Sequence, residues 1–168
     1  MKSKLLFVFT IITALVTSIG CKKKEGPAGA AGKDANVKAQ TFSVTSWAYS
    51  SPSYYANYSD ADITSTVQNS GTVDLFFSSN GGTTWRALPF TQYIGTSDYY
   101  WGYNTSVGNV QPTWTYSSSL SSGSDPNTVY GVTAMFKVVC VSAGARKANP
   151  DLDWSNYNEV KTRFHLAD

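Results

Sequence analysis

Apolar and polar positions alternate along much of the chain, and that period of two predicts strands. The longest run is Val129 to Ser142. Tyr130, Val132, Ala134, Phe136, Val138 and Cys140 fall on one side of it. Thr133, Met135, Lys137, Val139 and Val141 fall on the other. This reads as a central strand with one face in the core. In Thr72 to Ser79, Val73, Leu75 and Phe77 alternate with Asp74, Phe76 and Ser78. In Thr41 to Tyr49, Phe42, Val44 and Ala48 oppose Trp47 and Tyr49. Shorter segments at Thr83 to Phe90, Tyr99 to Tyr103 and Gln111 to Tyr116 complete the set. Pro89 and Pro112 cannot donate to a ladder, which places the first and last of these at sheet edges or strand ends. Gly, Ser and Asn clusters separate the runs. The sum is an all-β fold, an antiparallel β-sandwich of six to eight strands.

Two segments change period. Between Asp60 and Gly71, Ile63 and Val67 stand four apart, with an Asp available as cap and Gly71 as stop. Between Asp153 and Phe164, Trp154, Tyr157, Val160 and Phe164 keep helical spacing. Asp153 or Ser155 would cap it, and Lys161 and Arg163 suit the negative end of its dipole. One or two short helices are therefore expected, the second covering an end of the sandwich.

The start of the chain is of another kind. Lys2 and Lys4 precede an uncharged run from Leu5 to Ile19. That is shorter than the roughly 20 apolar residues of a membrane span, and it has the layout of a secretory signal. It ends in Ser18-Ile19-Gly20-Cys21, which resembles the bacterial lipobox. The resemblance implies lipid on the Cys21 thiol and removal of residues 1–20. The chain would then partner a membrane through Cys21, since two or more acyl chains anchor stably. Lys22, rather than Asp, follows Cys21, which by the same resemblance points to the outer membrane of the cell envelope. The side faced, periplasm or surface, stays open. Residues 21–35 form the tether. Within it, Gly26-Pro27-Ala28-Gly29-Ala30-Ala31-Gly32 has the collagen spacing, but too briefly for a triple helix, so a flexible linker is expected. Lipobox, collagen-like tether and a Tyr- and Ser-rich domain together resemble a group of bacterial envelope lipoproteins that carry no established activity.

Composition narrows the remaining domain, residues 36–168. Aromatic and charged fractions are both 14%, which excludes a disordered chain. The net charge of +2 owes part of its sign to Lys2 and Lys4. From Ala35 onward there are 7 Lys+Arg against 9 Asp+Glu, a net −2, so no nucleic-acid partner is expected. Two cysteines exclude a disulfide scaffold and a four-cysteine zinc site. No cofactor, catalytic residue or metal ligand is assigned.

Candidate chemistry is sparse. Ser78-Ser79-Asn80-Gly81-Gly82-Thr83-Thr84-Trp85 resembles the Asp-box of sialidases, with Asn80 in the Asp place. One copy in a chain this short implies a structural hairpin turn. Asp60/Asp62 and Asp151/Asp153 are the only carboxylate pairs for glycosidic chemistry or Ca²⁺, and both suit helix caps or solvation better. His165 reads as solvated and Cys140 as a small buried hydrophobe. Aromatics cluster at Tyr49 to Tyr58 and at Tyr93 to Tyr116. Exposed rings of this kind serve binding surfaces, so Tyr54, Tyr55, Tyr99, Tyr100, Trp101 and Trp114 are the candidate ligand-binding residues. The competing reading packs them in the core. The expected function is a non-catalytic envelope lipoprotein with a structural or binding role, its partner an envelope protein or a glycan. The alternative is a carbohydrate-binding module, and a hydrolase is the weakest reading.

Overall fold

A computed structural model describes residues 37–95, 97–116 and 124–167. The signal segment, Cys21 and the tether at 21–35 lie outside the described residues. Ten strands and four short helices follow in order: β1 (Val37–Val44), β2 (Ala48–Ser50), β3 (Ser53–Tyr55), β4 (Tyr58–Ser59), α1 (Ser65–Ser70), β5 (Thr72–Ser78), β6 (Arg86–Ala87), β7 (Phe90–Ile94), β8 (Ser97–Ser106), β9 (Asn109–Tyr116), α2 (Pro126–Tyr130), β10 (Ala134–Val141), α3 (Ala143–Ala148) and α4 (Tyr157–Phe164). They build two antiparallel sheets. The first is ordered β1-β10-β5-β6. The second is β2-β3-β9-β8-β7, with β4 also paired to β9. The fold is an all-β sandwich. The strand number exceeds eight because β2, β3, β4 and β6 are only two or three residues long.

The alternation of β5 and β10 decides what lies between the sheets. Val73, Leu75 and Phe77 face inward from β5, and Phe136, Val138 and Cys140 from β10. They meet Tyr99, Trp101, Val110 and Trp114 from the second sheet. The opposite face of β10 is not solvated. Val139 and Val141 join Phe76 and Val37 in a second core, closed by Ala145, Tyr157, Val160 and Phe164. Helix α4 therefore lies on the outer face of the first sheet rather than over an end of the sandwich. Lys137 is buried in this layer at 3% exposure. Its ammonium donates to the Tyr157 hydroxyl at 3.0 Å and lies 4.8 Å from the Trp85 ring centre.

Three local expectations shift. The long run does not begin at Val129, because α2 occupies residues 126–130. Asp125 accepts from the N–H groups of Asn127 and Thr128, Pro126 opens the helix, and Gly131 closes it at φ 67°. The cap of α1 is Thr64, and the cap of α4 is Asn156 rather than Asp153 or Ser155. Pro112 sits in the middle of β9, a central strand. Its carbonyl accepts from Ala56 N–H, so the nitrogen faces the same side. On that side β3 stops at Tyr55 and β4 resumes at Tyr58, and the missing donor meets this interruption.

Candidate functional site: the open face of the six-stranded sheet

Strand parity sorts the aromatic candidates. Trp101 on β8 and Trp114 on β9 are cross-strand partners pointing into the sandwich, each 0% exposed. Their rings meet edge to face at 4.5 Å. Tyr99 points the same way and stacks on Trp114 at 4.4 Å. The Trp101 indole N–H donates to the Tyr130 hydroxyl, which donates to Gln92 Oε1 at 2.6 Å. These three aromatics are core, and the expectation that they offer a ligand surface is corrected. Tyr54 pairs with Trp114 in register, so it shares the inward side. It is half-buried against Tyr49, with ring centres 4.8 Å apart.

Tyr55 and Tyr100 point the other way. Register aligns the outward residues in rows across the sheet. Tyr55, Thr113 and Gly102 form one row, and Ser53, Thr115, Tyr100 and Thr91 the next. Gln111 and Asn104 form a third row, and Tyr93 and Asp98 a fourth. Among the described residues neither of the two apolar clusters includes any of these outward side chains. The first sheet, by contrast, carries α3 and α4 on its outer side.

Two details organise the surface. A Cβ added at Gly102 would stand 2.8 Å from Tyr100 Cε1 and 3.1 Å from Thr113 Oγ1. The Cε1 edge of the Tyr100 ring therefore occupies space beside the glycine that a side chain would take, and the residue is 46% exposed. Beside it runs an amide ladder. Asn104 Nδ2 donates to Gln111 Oε1 at 3.2 Å, and Gln111 Nε2 donates to Asn57 Oδ1 at 2.9 Å. A paired hydroxyl, Ser53 Oγ to Thr115 Oγ1 at 2.7 Å, continues the polar pattern. At the β3–β4 margin the face meets a cleft of about 360 Å³, lined in part by Thr45, Ser46, Tyr55 and Asn57. Phe42 and Tyr58, stacked at 3.9 Å, also border it.

Charge is nearly missing here. No Lys or Arg occurs between Lys38 and Arg86, or between Arg86 and Lys137, and those stretches supply the whole second sheet. Asp98 is the single charged side chain among its outward-facing strand residues.

The other candidates take structural places. Asp60 is buried at 4% exposure and its Oδ1 accepts from Asp62 N–H. Asp62 pairs with Lys38 at 2.5 Å. Asp153 accepts from the Ser155 hydroxyl and N–H, which hold its carboxyl below the usual range. Among the described residues no three His, Cys, Asp or Glu side chains are grouped as a metal site. His165 ends α4 in the left-handed region, exposed. Cys140 is buried, and desolvation, with Asp60 and Asp62 adding to it, pushes its thiol up to about 12. The turn at Ser78–Trp85 is tied by Asn80, whose Oδ1 accepts from Thr84 N–H at 3.0 Å while its Nδ2 donates to Thr84 Oγ1.

Comparison with known protein families, curated proteins and solved structures found no match to this chain. The geometry alone therefore carries the functional argument. Sequence reasoning missed Gly102 and the Asn57–Gln111–Asn104 ladder, and it placed Tyr93 in an aromatic cluster without making it a candidate. An interior strand glycine, where a side chain or another group approaches closely, was the one available signal.

Proposed function

We propose that this chain is a non-catalytic, lipid-anchored protein of the cell envelope whose β-sandwich is a binding domain. The open face of the second sheet is its contact surface. One observation supports this reading above the others: the two sheets are treated unequally. The first has its outer side sealed by a second apolar core, while the second presents ordered, hydrogen-bonded side chains. Cross-strand pairs stabilise any sheet, and here they stand on the face that no apolar cluster covers. Asp60, Asp62 and Asp153 are engaged in turns and an ion pair, which favours binding over hydrolysis. The lipobox resemblance at Cys21 supports the anchor.

The test has two arms. In detergent phase separation the chain should partition into the detergent phase, and Cys21→Ser should move it to the aqueous phase. The Cys21→Ser chain should still bind washed native envelope fragments, and adding Thr113→Lys, a cation at the centre of the face, should abolish that binding. Aqueous partition of the unaltered chain would sink the anchor. Envelope binding that ignores Thr113→Lys would sink the contact surface.

A further inference from the structure

Resting on that reading of the sheet face, we infer that its ligand is a neutral saccharide chain. Three observations on the same surface converge. The first is the Tyr100 ring, half-exposed, with its Cε1 edge close to Gly102 because the glycine leaves room for it. A half-exposed tyrosine ring offers apolar area with a polar tip, and the C–H groups of a pyranose can pack on such a ring. The second is the amide ladder. Asn57, Gln111 and Asn104 fix one another's orientation through two hydrogen bonds, 2.9 and 3.2 Å long. Each amide carries two donors and two acceptor lone pairs, so the ladder keeps unused sites at fixed positions. A sugar hydroxyl both donates and accepts, which is the pairing such sites take. Preorganisation of this kind lowers the ordering cost of binding.

The third observation is the charge of the surface. A polyanion such as nucleic acid or a sulfated glycan needs Lys or Arg, and the sheet has none. A cationic partner would find Asp98 alone. An apolar protein partner would have to cover Thr, Asn, Gln and Ser side chains. A neutral glycan needs neither ion nor apolar patch. The rows run across four strands, so the surface suits several sugar units rather than one.

The test titrates the processed, lipidated chain, held in a polyoxyethylene detergent without a sugar headgroup, with soluble glucan, mannan, galactan and xylan. Heparin is the polyanionic control, and calorimetry is the readout. At least one neutral polymer should bind and heparin should not. Tyr100→Ala and Gly102→Ala should each weaken that binding at least tenfold, the second by lifting the ring without removing it. Both variants should unfold within a few degrees of the unaltered protein, so that lost binding is not lost fold. Failure of all four polymers to bind overturns the inference, as does binding indifferent to both variants or preference for heparin. If Thr113→Lys abolishes envelope binding while no neutral polymer binds, the saccharide inference falls and the contact surface stands.

Discussion

Gly71→Ala and Gly102→Ala add the same methyl group, and the structure gives them opposite consequences. At Gly71 the new Cβ would stand 2.3 Å from the Val141 carbonyl oxygen and 3.0 Å from that of Val67. Carbon and carbonyl oxygen ordinarily approach to about 3.3 Å, so about 1 Å of movement is required. Nothing there yields easily. Val141 is paired to Val37 on one side and Thr72 on the other, and Val67 O already accepts from Gly71 N–H. The backbone angles themselves suit alanine, φ −97° and ψ −152°, so the cost is steric alone. Overpacking costs about 1–3 kcal/mol, and a rigid backbone clash belongs at the top of that range. A stiffer unfolded chain returns about 0.4–1 kcal/mol. The net is a loss of about 2–3 kcal/mol, a fall in Tm of about 10 °C for a domain of this size. At Gly102 the nearest atom is the end of a half-exposed Tyr100 side chain, which can swing outward. That variant should stay within about 1 kcal/mol of the parent. Thermal unfolding followed by tryptophan fluorescence reads both. Equal falls in Tm, or no fall for Gly71→Ala, would refute the placement of the α1–β5 junction against β10.

The buried aromatics and the outer ring make a second contrast. Trp101→Ala should cost about 3–5 kcal/mol by opening a cavity in the main core. Tyr100→Ala, one position away on the other side of β8, should cost under about 1 kcal/mol. Chemical denaturation measures both, and comparable losses would mean that the parity of β8 is reversed. Alkaline stability gives a third prediction. Burial raises Cys140 from 9.0 to about 12, and burial with Asp74 raises Tyr103 from 10.0 to about 12. The unfolded chain then releases these protons first, so stability is whole below pH 9 and falls as pH rises toward 12. Urea midpoints at pH 8, 9.5 and 11 should decline in order, and Cys140→Ala should flatten the first interval. A midpoint unchanged to pH 11 would show that neither group is held neutral by the fold.

Much of the fold was legible in the alternation. β5 and β10 lie within the two segments where period-two patterning is plain, β8 and β9 extend beyond the shorter segments read at Tyr99 to Tyr103 and Gln111 to Tyr116, and α4 sits within the helical spacing that ends at Phe164. The second core also left a trace: Met135, Val139 and Val141 make β10 apolar on both faces, the mark of a strand covered twice. Helix α2 was hidden because Tyr130 and Val132 continue the alternation upstream of β10. The signals against a strand there, Asp125-Pro126 and Gly131, are local and weaker than the run they interrupt. The site was only half legible. Tyr99, Tyr100 and Trp101 are adjacent in sequence and look like one cluster, yet alternate residues of a strand face opposite sides. Which side is core depends on the pairing of Trp101 with Trp114, and that register is a property of two strands together. The ladder was out of reach for the same reason, since Asn57 and Asn104 meet only through Gln111.

The burial of Tyr157, Val160 and Phe164 against β10 sets an order on the making of this protein. Until those residues have left the ribosome, Phe76, Val139 and Val141 have no cover and the first sheet keeps one wet apolar side. The strongest strand is thus completed by residues synthesised after it. A nascent chain lacking them holds its sheet open, and the domain locks only when β10 and α4 are in one compartment.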